Sequence, residues 1–146
     1  MAQTGQRVDP FSNFNFLIEL DGITRAAFQE VSGLDATIDV IEHREGGQNT
    51  TPRKFPGLTK YSNITLRWGM TDDLELYEWH RQAIQGNLQR KNGSVVLLNR
   101  LGEEVARWNF VEAWPTKYDA PDLNATGNEL AVEAVELVHE GVERVR

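Results

Sequence analysis

The side chains that could carry chemistry in this sequence are few and widely spaced. Histidines stand at positions 43, 80 and 139, and no two of them have the spacing of helical metal ligands. His139 and Glu140 adjoin on a predicted strand, so their side chains point to opposite faces, which is wrong for a shared metal. His80 stands beside an apolar helical stripe, and we interpret it as a partly buried structural histidine.

Three carboxylates cluster at Asp72, Asp73 and Glu75. They could form a general acid–base pair, but they also stand where a helix is predicted to begin. Side-chain caps and the helix dipole both favour negative charge at that position. Capping therefore accounts for the cluster, with acid–base chemistry as the alternative.

Other motifs are incomplete. Gly46-Gly47 followed by Asn49 could suggest a phosphate cradle, but no Rossmann strand pattern, GxGxxG or Walker lysine accompanies it. No serine lies in a GxSxG elbow. Tryptophans beside arginines, at 67–68 and 107–108, could stack on nucleic acid, although strand spacing next to aliphatic residues favours core packing. The sequence predicts a protein that is not an enzyme, with no metal and no cofactor.

Amino-acid composition further narrows the class of protein to which this chain could belong. The 146 residues, 40% hydrophobic and 25% charged, suit one globular domain spanning 1–146. Cysteine is absent, which removes disulfides and thiol chemistry. The net charge of −7 argues against sequence-independent binding to nucleic acid, because phosphates would be repelled. It would suit a channel through which a polyanion slides without sticking.

The sequence shows no segment for targeting or membrane insertion. The longest apolar runs, such as 95–98, are far too short to span a bilayer. The first ten residues contain no apolar stretch of the kind found in signal peptides. We expect a protein that folds in the cytoplasm.

Period-two alternation predicts about seven strands. They lie at 14–20, at 28–31, at 37–42, at 63–68, at 94–98, at 105–112 and at 129–140. In the first, Phe14, Phe16, Ile18 and Leu20 share a face. Residues 1–13 are expected to be a polar N-terminal arm.

One segment has helical period. Leu76, Trp79, Ala83 and Ile84 form an apolar stripe, with Asp72 as the predicted cap and Gly86 as the predicted end. Together the elements predict a mainly β fold, a two-sheet sandwich or barrel with one peripheral helix.

Two long connections interrupt this pattern. Residues 43–60 hold three glycines and two prolines, which predicts a long loop or an extended hairpin, and a loop of this length is usually functional or disordered. A second loop is predicted from Trp114-Pro115 to Asn128. The last strand is apolar on both faces, and such strands are covered on both faces, so another subunit could supply the second cover.

Charge is distributed unevenly. The 43–60 segment is locally basic, and the final strand is predicted to be an acidic edge with Glu129, Glu133, Glu136 and Glu140. A basic loop and an acidic edge on one molecule can mate head to tail, and such contacts generate rings or filaments. Ordinary solvated faces are the simpler interpretation.

A series of short segments covers nearly the whole chain in order. They include Asp9-Pro-Phe11, Phe28-Gln-Glu-Val-Ser-Gly-Leu34, Arg44-Glu-Gly-Gly-Gln-Asn49, Arg53-Lys-Phe-Pro-Gly57, Arg107-Trp-Asn-Phe110, Ala113-Trp-Pro115 and His139-Glu-Gly141. In combination they resemble the tail tube protein family of contractile phages and contractile injection systems, typified by the T4-like tail tube.

The resemblance implies a ring-forming fold whose hexamers stack into a hollow tube. The expected partners are further copies of the chain, sheath protein, baseplate or hub proteins, and a tape measure or cargo in the lumen. Specific nucleic acid binding and membrane insertion are not expected. The expected location is the cytoplasm during assembly and a virion tail or extracellular particle afterwards.

The resemblance also assigns roles to the 43–60 segment. Inter-subunit or ring-stacking contacts are expected from Arg44, Glu45, Gly46, Gly47, Asn49, Arg53, Lys54, Phe55, Pro56 and Gly57. The alternatives are a baseplate protein that initiates the tube, a type VI-like secreted ring protein of the same fold and, from a different class, a monomeric β-sandwich binding module.

Overall fold

The computed structural model describes residues 15–21, 23–44, 46, 51–123, 125, 127 and 131–146. The predicted N-terminal arm, 1–13, lies outside them. The described chain forms one helix, α1 (Glu75–Ile84), and nine strands. The strands are β1 (Asn15–Leu20), β2 (Ile23–Ser32), β3 (Ala36–His43), β4 (Arg53–Tyr61), β5 (Ile64–Gly69), β6 (Lys91–Leu98), β7 (Glu104–Asp119), β8 (Val132–Val138) and β9 (Gly141–Arg144).

Antiparallel pairing arranges these strands in two sheets. The larger has the order β6-β1-β2-β5-β8-β7-β9, and β7 also pairs with β6. Six strands therefore form a cycle of hydrogen-bonded neighbours, with β9 attached to β7. The smaller sheet is the β3–β4 pair. The predicted fold class, mainly β with two sheets and one helix, is confirmed.

Alternate residues of the cycle build the core. Its buried members come from β1, β2, β5, β6, β7, β8 and α1, and include Ile18, Ile64, Leu66, Phe110 and Leu137. Phe16, Ile18 and Leu20 of β1 lie on the core side, as alternation predicts, because successive strand residues point to opposite faces. Phe14 lies outside the described residues.

The helix begins later than predicted. Its first residue is Glu75, and the backbone N–H of Glu75 donates to Oδ1 of Asp73 at 3.0 Å, so Asp73 rather than Asp72 makes the N-terminal hydrogen bond. Of the predicted apolar stripe, Leu76 and Trp79 are buried in the core, whereas Ile84 at the end of the helix is 72% exposed. Gly86, with a φ of 87°, follows the helix in the left-handed conformation that glycine adopts without steric cost. None of the described segments forms a helix long and apolar enough to cross a membrane.

Strand β7 is longer than predicted because it continues through Trp114-Pro115 to Asp119. Proline lacks a backbone N–H and is excluded from regular ladders, but it is tolerated at bulges. The pairing of β7 with β8 shifts register between Pro115 and Lys117, which provides such a bulge. Only the later part of the predicted 114–128 loop is without strand structure among the described residues.

A second irregularity lies where β7 changes partner. Its first half pairs with β6 and β9, and its second half pairs with β8. Just before this change, where the β6–β7 register shifts between the pairs Gly93–Phe110 and Lys91–Ala113, stands Glu112, which has a φ of 52°. This is the left-handed region, which residues with a Cβ rarely adopt.

Candidate assembly surface

The β3–β4 hairpin carries several of the exposed large apolar side chains among the described residues, namely Ile38, Val40, Ile41, Phe55 and Leu58. It runs from the pair Ala36 and Tyr61 to the pair His43 and Arg53, with one irregularity in register. Of the two possibilities for the 43–60 segment, the structure shows an extended hairpin, since 53–60 belong to β4. Every residue of the two strands is exposed except Asp39, Gly57 and Tyr61, which are partly buried.

Both faces of this hairpin carry apolar side chains. Val40 pairs with Pro56, and the next pair along, Ile41 with Phe55, points to the opposite side. We call these the Val40 face (Ile38, Val40 and Pro56) and the Ile41 face (Ile41 and Phe55). Val40 is 63% exposed and Ile41 is 54% exposed. Contiguous apolar surface of this kind usually marks an interaction site.

Charged residues flank the apolar pairs. Lys54 lies opposite Glu42 on the Val40 face, and Arg53 lies opposite His43 on the Ile41 face. Nearer the base, Lys60 Nζ lies 3.0 Å from Asp39 Oδ2. Both partners are exposed, so this ion pair contributes little to stability. Arg44, Arg53 and Lys54 give the far end of the hairpin a basic, solvent-accessible rim.

The two described glycines of the hairpin differ in their surroundings. A Cβ at Gly57 would lie 3.1 Å from the Asp39 carbonyl oxygen and 3.2 Å from Ile41 Cγ1. Gly57 therefore allows β3 and the Ile41 side chain to approach β4 closely. At Gly46 a Cβ would meet nothing within 4 Å. Glu45, Gly47 and Asn49 lie outside the described residues.

The base of the hairpin is fixed to the body by contacts that the sequence did not reveal. The Ser62 N–H donates to the Asp35 carbonyl at 3.3 Å. His139 Nε2 lies 2.9 Å from the Ser62 carbonyl oxygen, and its ring contacts the rings of Tyr61 and Phe110. His139 is buried, so it serves as a structural residue that ties the end of β4 to the β8–β9 corner.

The predicted acidic edge strand is wrong. Strand β8 pairs with β5 on one side and β7 on the other, so it is an interior strand. Glu133 is 5% exposed, and its carboxylate hydrogen bonds with Tyr118. Burial, reinforced by this carboxylate, raises the pKa of Tyr118. Glu133 thus faces inward, which is contrary to the edge interpretation.

The other predicted glutamates are spread out. Glu136 accepts a hydrogen bond from Asn63 Nδ2 at 3.2 Å, and Glu140 is exposed in the corner between β8 and β9. Glu129 lies outside the described residues. The basic rim of the hairpin and the glutamates of β8 therefore do not form two matching surfaces of the kind that the sequence suggested.

An ion-pair cluster holds the C-terminal strand on the body. Arg107 lies 2.9 Å from Glu19 Oε2 and 2.7 Å from Glu104 Oε1, and Arg146 reaches Glu104 Oε2 at 3.3 Å. The hydrogen bond from Arg107 lowers the pKa of Glu104, and the two carboxylates raise the pKa of Arg107. This cluster joins β1, β7 and the end of the chain.

The described residues contain no group of three or more His, Asp or Glu side chains placed to hold a metal ion. The carboxylates at 72, 73 and 75 are exposed at the start of the helix, where Oδ1 of Asp73 accepts a hydrogen bond from the Glu75 N–H. The hairpin, rather than a cleft, is thus the feature that offers a function.

Comparison with known proteins gives a consistent result. A family model described as T4-like virus tail tube protein gp19 matches residues 12–143. No curated protein sequence shows a significant match. Among solved structures, a chain in the PVC sheath–tube complex of an extracellular contractile injection system in the extended state is 32% identical. The match covers 92% of this chain and 90% of that chain, with a TM-score of 0.82.

Two further structures extend the comparison. A chain in the anti-feeding prophage cap, described as a tube terminating cap, is 34% identical over 99% of this chain and 98% of that chain, with a TM-score of 0.81. Hcp1 from Flavobacterium johnsoniae is 20% identical, covering 90% and 94% of the two chains, with a TM-score of 0.59. At that identity the likeness concerns the fold alone.

Proposed function

The chain belongs to the T4-like virus tail tube protein family, and on that premise we propose that it forms hexameric rings that stack into the inner tube of a contractile particle. Sheath contraction would drive this tube through a target envelope, and its lumen would carry DNA or protein cargo. The family is one of structural proteins, so its members act by assembling. The observation that carries the proposal is the hairpin, whose apolar residues are exposed in the isolated subunit.

The surface chemistry supports this proposal. Exposed apolar side chains on a separate two-stranded sheet cost solvation free energy until another surface covers them. The basic rim at Arg44, Arg53 and Lys54 belongs to a chain with a net charge of −7, so one copy presents charge that another copy can complement. Contacts between unlike patches on identical subunits produce rings and open stacks.

The net negative charge also suits the passage of a polyanionic cargo through the proposed tube. A surface rich in carboxylates repels a nucleic acid backbone, so a polyanion passing along it is not retained. We expect the subunit to be made and assembled in the cytoplasm and to act in a virion tail or an extracellular particle. Sheath and baseplate proteins are the proposed partners, since related chains occur in structures titled as a sheath–tube complex and a baseplate.

A second candidate is a baseplate protein that initiates the tube. It is favoured by the similarity to a chain in the anti-feeding prophage baseplate, which is 25% identical with a TM-score of 0.82. The identity of 32% to a chain of the sheath–tube complex is higher than the identity to the baseplate chain and favours the repeating subunit over this candidate. An initiator would form a single ring and stop, whereas a tube subunit continues to stack.

The test is assembly of the purified full chain, followed by light scattering and negative-stain electron microscopy. Rings or hollow tubes of uniform width are expected, with a purified baseplate added as a nucleus where none form spontaneously. Isolated rings that never stack would support the initiator. A strict monomer at all concentrations, with and without the baseplate, would overturn the proposal and favour a monomeric binding module.

A further inference from the structure

Asn92 and Gly93, near the start of β6, are the only Asn–Gly pair in the sequence. An asparagine can lose its side-chain amide in water, because the backbone nitrogen of the next residue can attack the side-chain carbonyl carbon, Cγ. Glycine as the next residue makes this attack easiest, since it has no Cβ to hinder the approach and its backbone rotates freely. The reaction is therefore expected to be fastest at this position of the chain.

The fold depends on both members of the pair. A Cβ at position 93 would lie 2.5 Å from the Glu19 carbonyl oxygen and 2.6 Å from Cζ of Phe110, so a larger residue would force β1 and β7 away from β6. Oδ1 of Asn92 accepts a hydrogen bond of 3.0 Å from the Glu112 N–H, at the register shift of β7. Close packing at one residue and a hydrogen bond at the other thus place a chemically labile pair inside a strand.

Three hydrogen bonds hold Asn92 in the folded subunit. Its backbone N–H donates to Oδ2 of Asp21 at 3.2 Å, and its backbone carbonyl accepts from the Asp21 N–H at 3.2 Å. The third is the bond from the Glu112 N–H to its side chain. A five-membered ring between Cγ of Asn92 and the nitrogen of Gly93 can close only if the side chain and the extended backbone both rotate, which breaks these bonds. The pairing of β6 with β1 and β7 therefore opposes the reaction.

We infer that Asn92 is a deamidation site which the fold protects, and that it reacts when the start of β6 separates from its neighbours. The Gly93 nitrogen loses its proton and forms a bond to Cγ of Asn92, while the bond from Cγ to the side-chain amide breaks and ammonia leaves. Water then opens the resulting succinimide at one of its two carbonyls. One opening gives aspartate and the other gives isoaspartate, so that overall one water is consumed and one ammonia is released. This inference does not depend on the proposed assembly.

The two products affect β6 differently. Aspartate leaves the backbone unchanged and keeps a side-chain oxygen that can accept from the Glu112 N–H. Isoaspartate routes the main chain through Cγ and so adds one carbon atom between Asn92 and Gly93. The close packing around Gly93 and the burial of Val95 prevent β6 from sliding to absorb this length. The added atom must therefore be accommodated at position 92, where it disrupts the hydrogen bond to Glu112.

A subunit that waits in solution thus has a chemical lifetime. Modification of an opened state proceeds in proportion to how often that state is visited, as long as closing is faster than the reaction. Each conversion to isoaspartate is irreversible and removes one native chain. The frequency with which the start of β6 opens, rather than the global stability alone, is expected to set how long the subunit stays native.

Mass spectrometry of aged protein tests the site. The full chain is incubated at mildly alkaline pH, folded or in guanidinium chloride, and is then digested with a protease that cleaves after glutamate. The peptide 79–103 contains Asn92 together with Asn87 and Asn99, which precede leucine and arginine and serve as internal controls. In denaturant we expect Asn92 to react at least about tenfold faster than either control, and in the folded chain at least about tenfold more slowly than in denaturant.

The outcomes separate the parts of the inference. Similar rates at the three asparagines in denaturant would overturn the choice of site, and equal rates at Asn92 in the folded and denatured chains would overturn protection by the fold. Asp21–Gly22 can form a similar succinimide by losing water, but Asp21 lies in a different peptide and its isomerisation leaves the mass unchanged. A heavier 79–103 peptide, in which NH is replaced by O, therefore reports deamidation alone.

A second measurement tests the effect on β6. The isoaspartate form is separated by chromatography, refolded and compared with the variant Asn92→Asp, which carries the same added charge on an unaltered backbone. We expect the urea midpoint of the isoaspartate form to lie below those of the variant and of the unsubstituted protein, because the longer backbone breaks hydrogen bonds at the start of β6. Equal midpoints for the isoaspartate form and Asn92→Asp would contradict this effect.

Discussion

The side-chain oxygen Oδ1 of Asn92 accepts a hydrogen bond of 3.0 Å from the backbone N–H of Glu112, the described non-glycine residue with a positive φ. Asn92 is in β6, and Glu112 lies in β7 at the register shift between the pairs Gly93–Phe110 and Lys91–Ala113, just before β7 pairs with β8. The bond satisfies a backbone donor that the irregular pairing leaves without a ladder partner. It therefore stabilises the strained conformation that lets one long strand serve both halves of the cycle.

Replacing Glu112 with glycine should stabilise the subunit. A residue with a Cβ in the left-handed conformation is destabilised by about 1–2 kcal/mol, and glycine removes this cost. Part of the gain is offset because glycine has more conformational freedom to lose when the unfolded chain folds. We expect the free energy of unfolding in urea to rise by about 0.5–1 kcal/mol. Glu112→Ala is the control, because it removes the exposed carboxylate but keeps the Cβ. Equal shifts for the two variants would contradict the explanation by strain.

Replacing Gly33 with alanine should damage the subunit far more than the same change at Gly86. Both glycines have a positive φ, 89° and 87°, so both variants carry the left-handed penalty. A Cβ at Gly33 would collide with the Asn63 carbonyl oxygen, whereas a Cβ at Gly86 would meet nothing within 4 Å. We expect Gly33→Ala to cost about 2–3 kcal/mol more in urea unfolding. Similar costs at the two sites would show that the backbone at the hairpin base can shift freely.

Glu104 should make the subunit sensitive to acid. The pKa of its carboxyl is lowered in the folded chain, chiefly by the hydrogen bond from Arg107. The stabilisation is therefore present above the ordinary value of 4.5 and is lost as the pH falls through the lowered value. In thermal unfolding between pH 6 and pH 3 (about the range over which carboxylates titrate), Glu104→Gln should lose less stability than the unsubstituted protein. Glu103→Gln, an exposed neighbour, should follow the unsubstituted curve.

Reversing the charge of the basic rim should weaken assembly without unfolding the subunit. The double variant Arg53→Glu and Lys54→Glu changes two exposed residues of β4, and we expect far fewer tubes by electron microscopy. Arg90→Glu with Lys117→Glu is the control, since it changes two exposed cations elsewhere and alters the net charge equally. Tubes from the rim variant in unsubstituted yield would refute an assembly role for these residues.

The sequence predicted the structure best for strands with one face packed against the core. Alternation identified the inward residues Ile64, Leu66 and Trp68, all of them buried, since each needs only a neighbouring strand to cover it. It was less informative where the structure or burial of a residue depends on another residue far along the chain. A proline at 115 is typical of a loop, and the bulge that admits it depends on pairing with β8, far along the chain. Glu133 is typical of a solvent face, and it is buried in a strand that lies between β5 and β7.

The hairpin shows a different limit on what can be predicted from the sequence. The alternation of residues 37–42 predicted a strand, which is confirmed, but such a pattern normally indicates one buried face. Neither face of β3 is buried in the subunit, because the cycle is complete without it. Which side chains of the 43–60 segment contact another copy stays a prediction, since it depends on a surface outside the single chain.

The cycle of strand pairs also leads to an expectation about the order in which the strands pair during folding. Strands β3 and β4 are neighbours along the chain, so the hairpin can form within microseconds of synthesis. Completing the cycle requires β5 to find β8, which joins Ile64 to Leu137, and such distant pairings form slowly. We therefore expect the β3–β4 hairpin to form in a newly made chain before the cycle of strands is complete. We expect the rate at which β5 pairs with β8 to set the concentration above which incompletely folded subunits are trapped in a growing assembly.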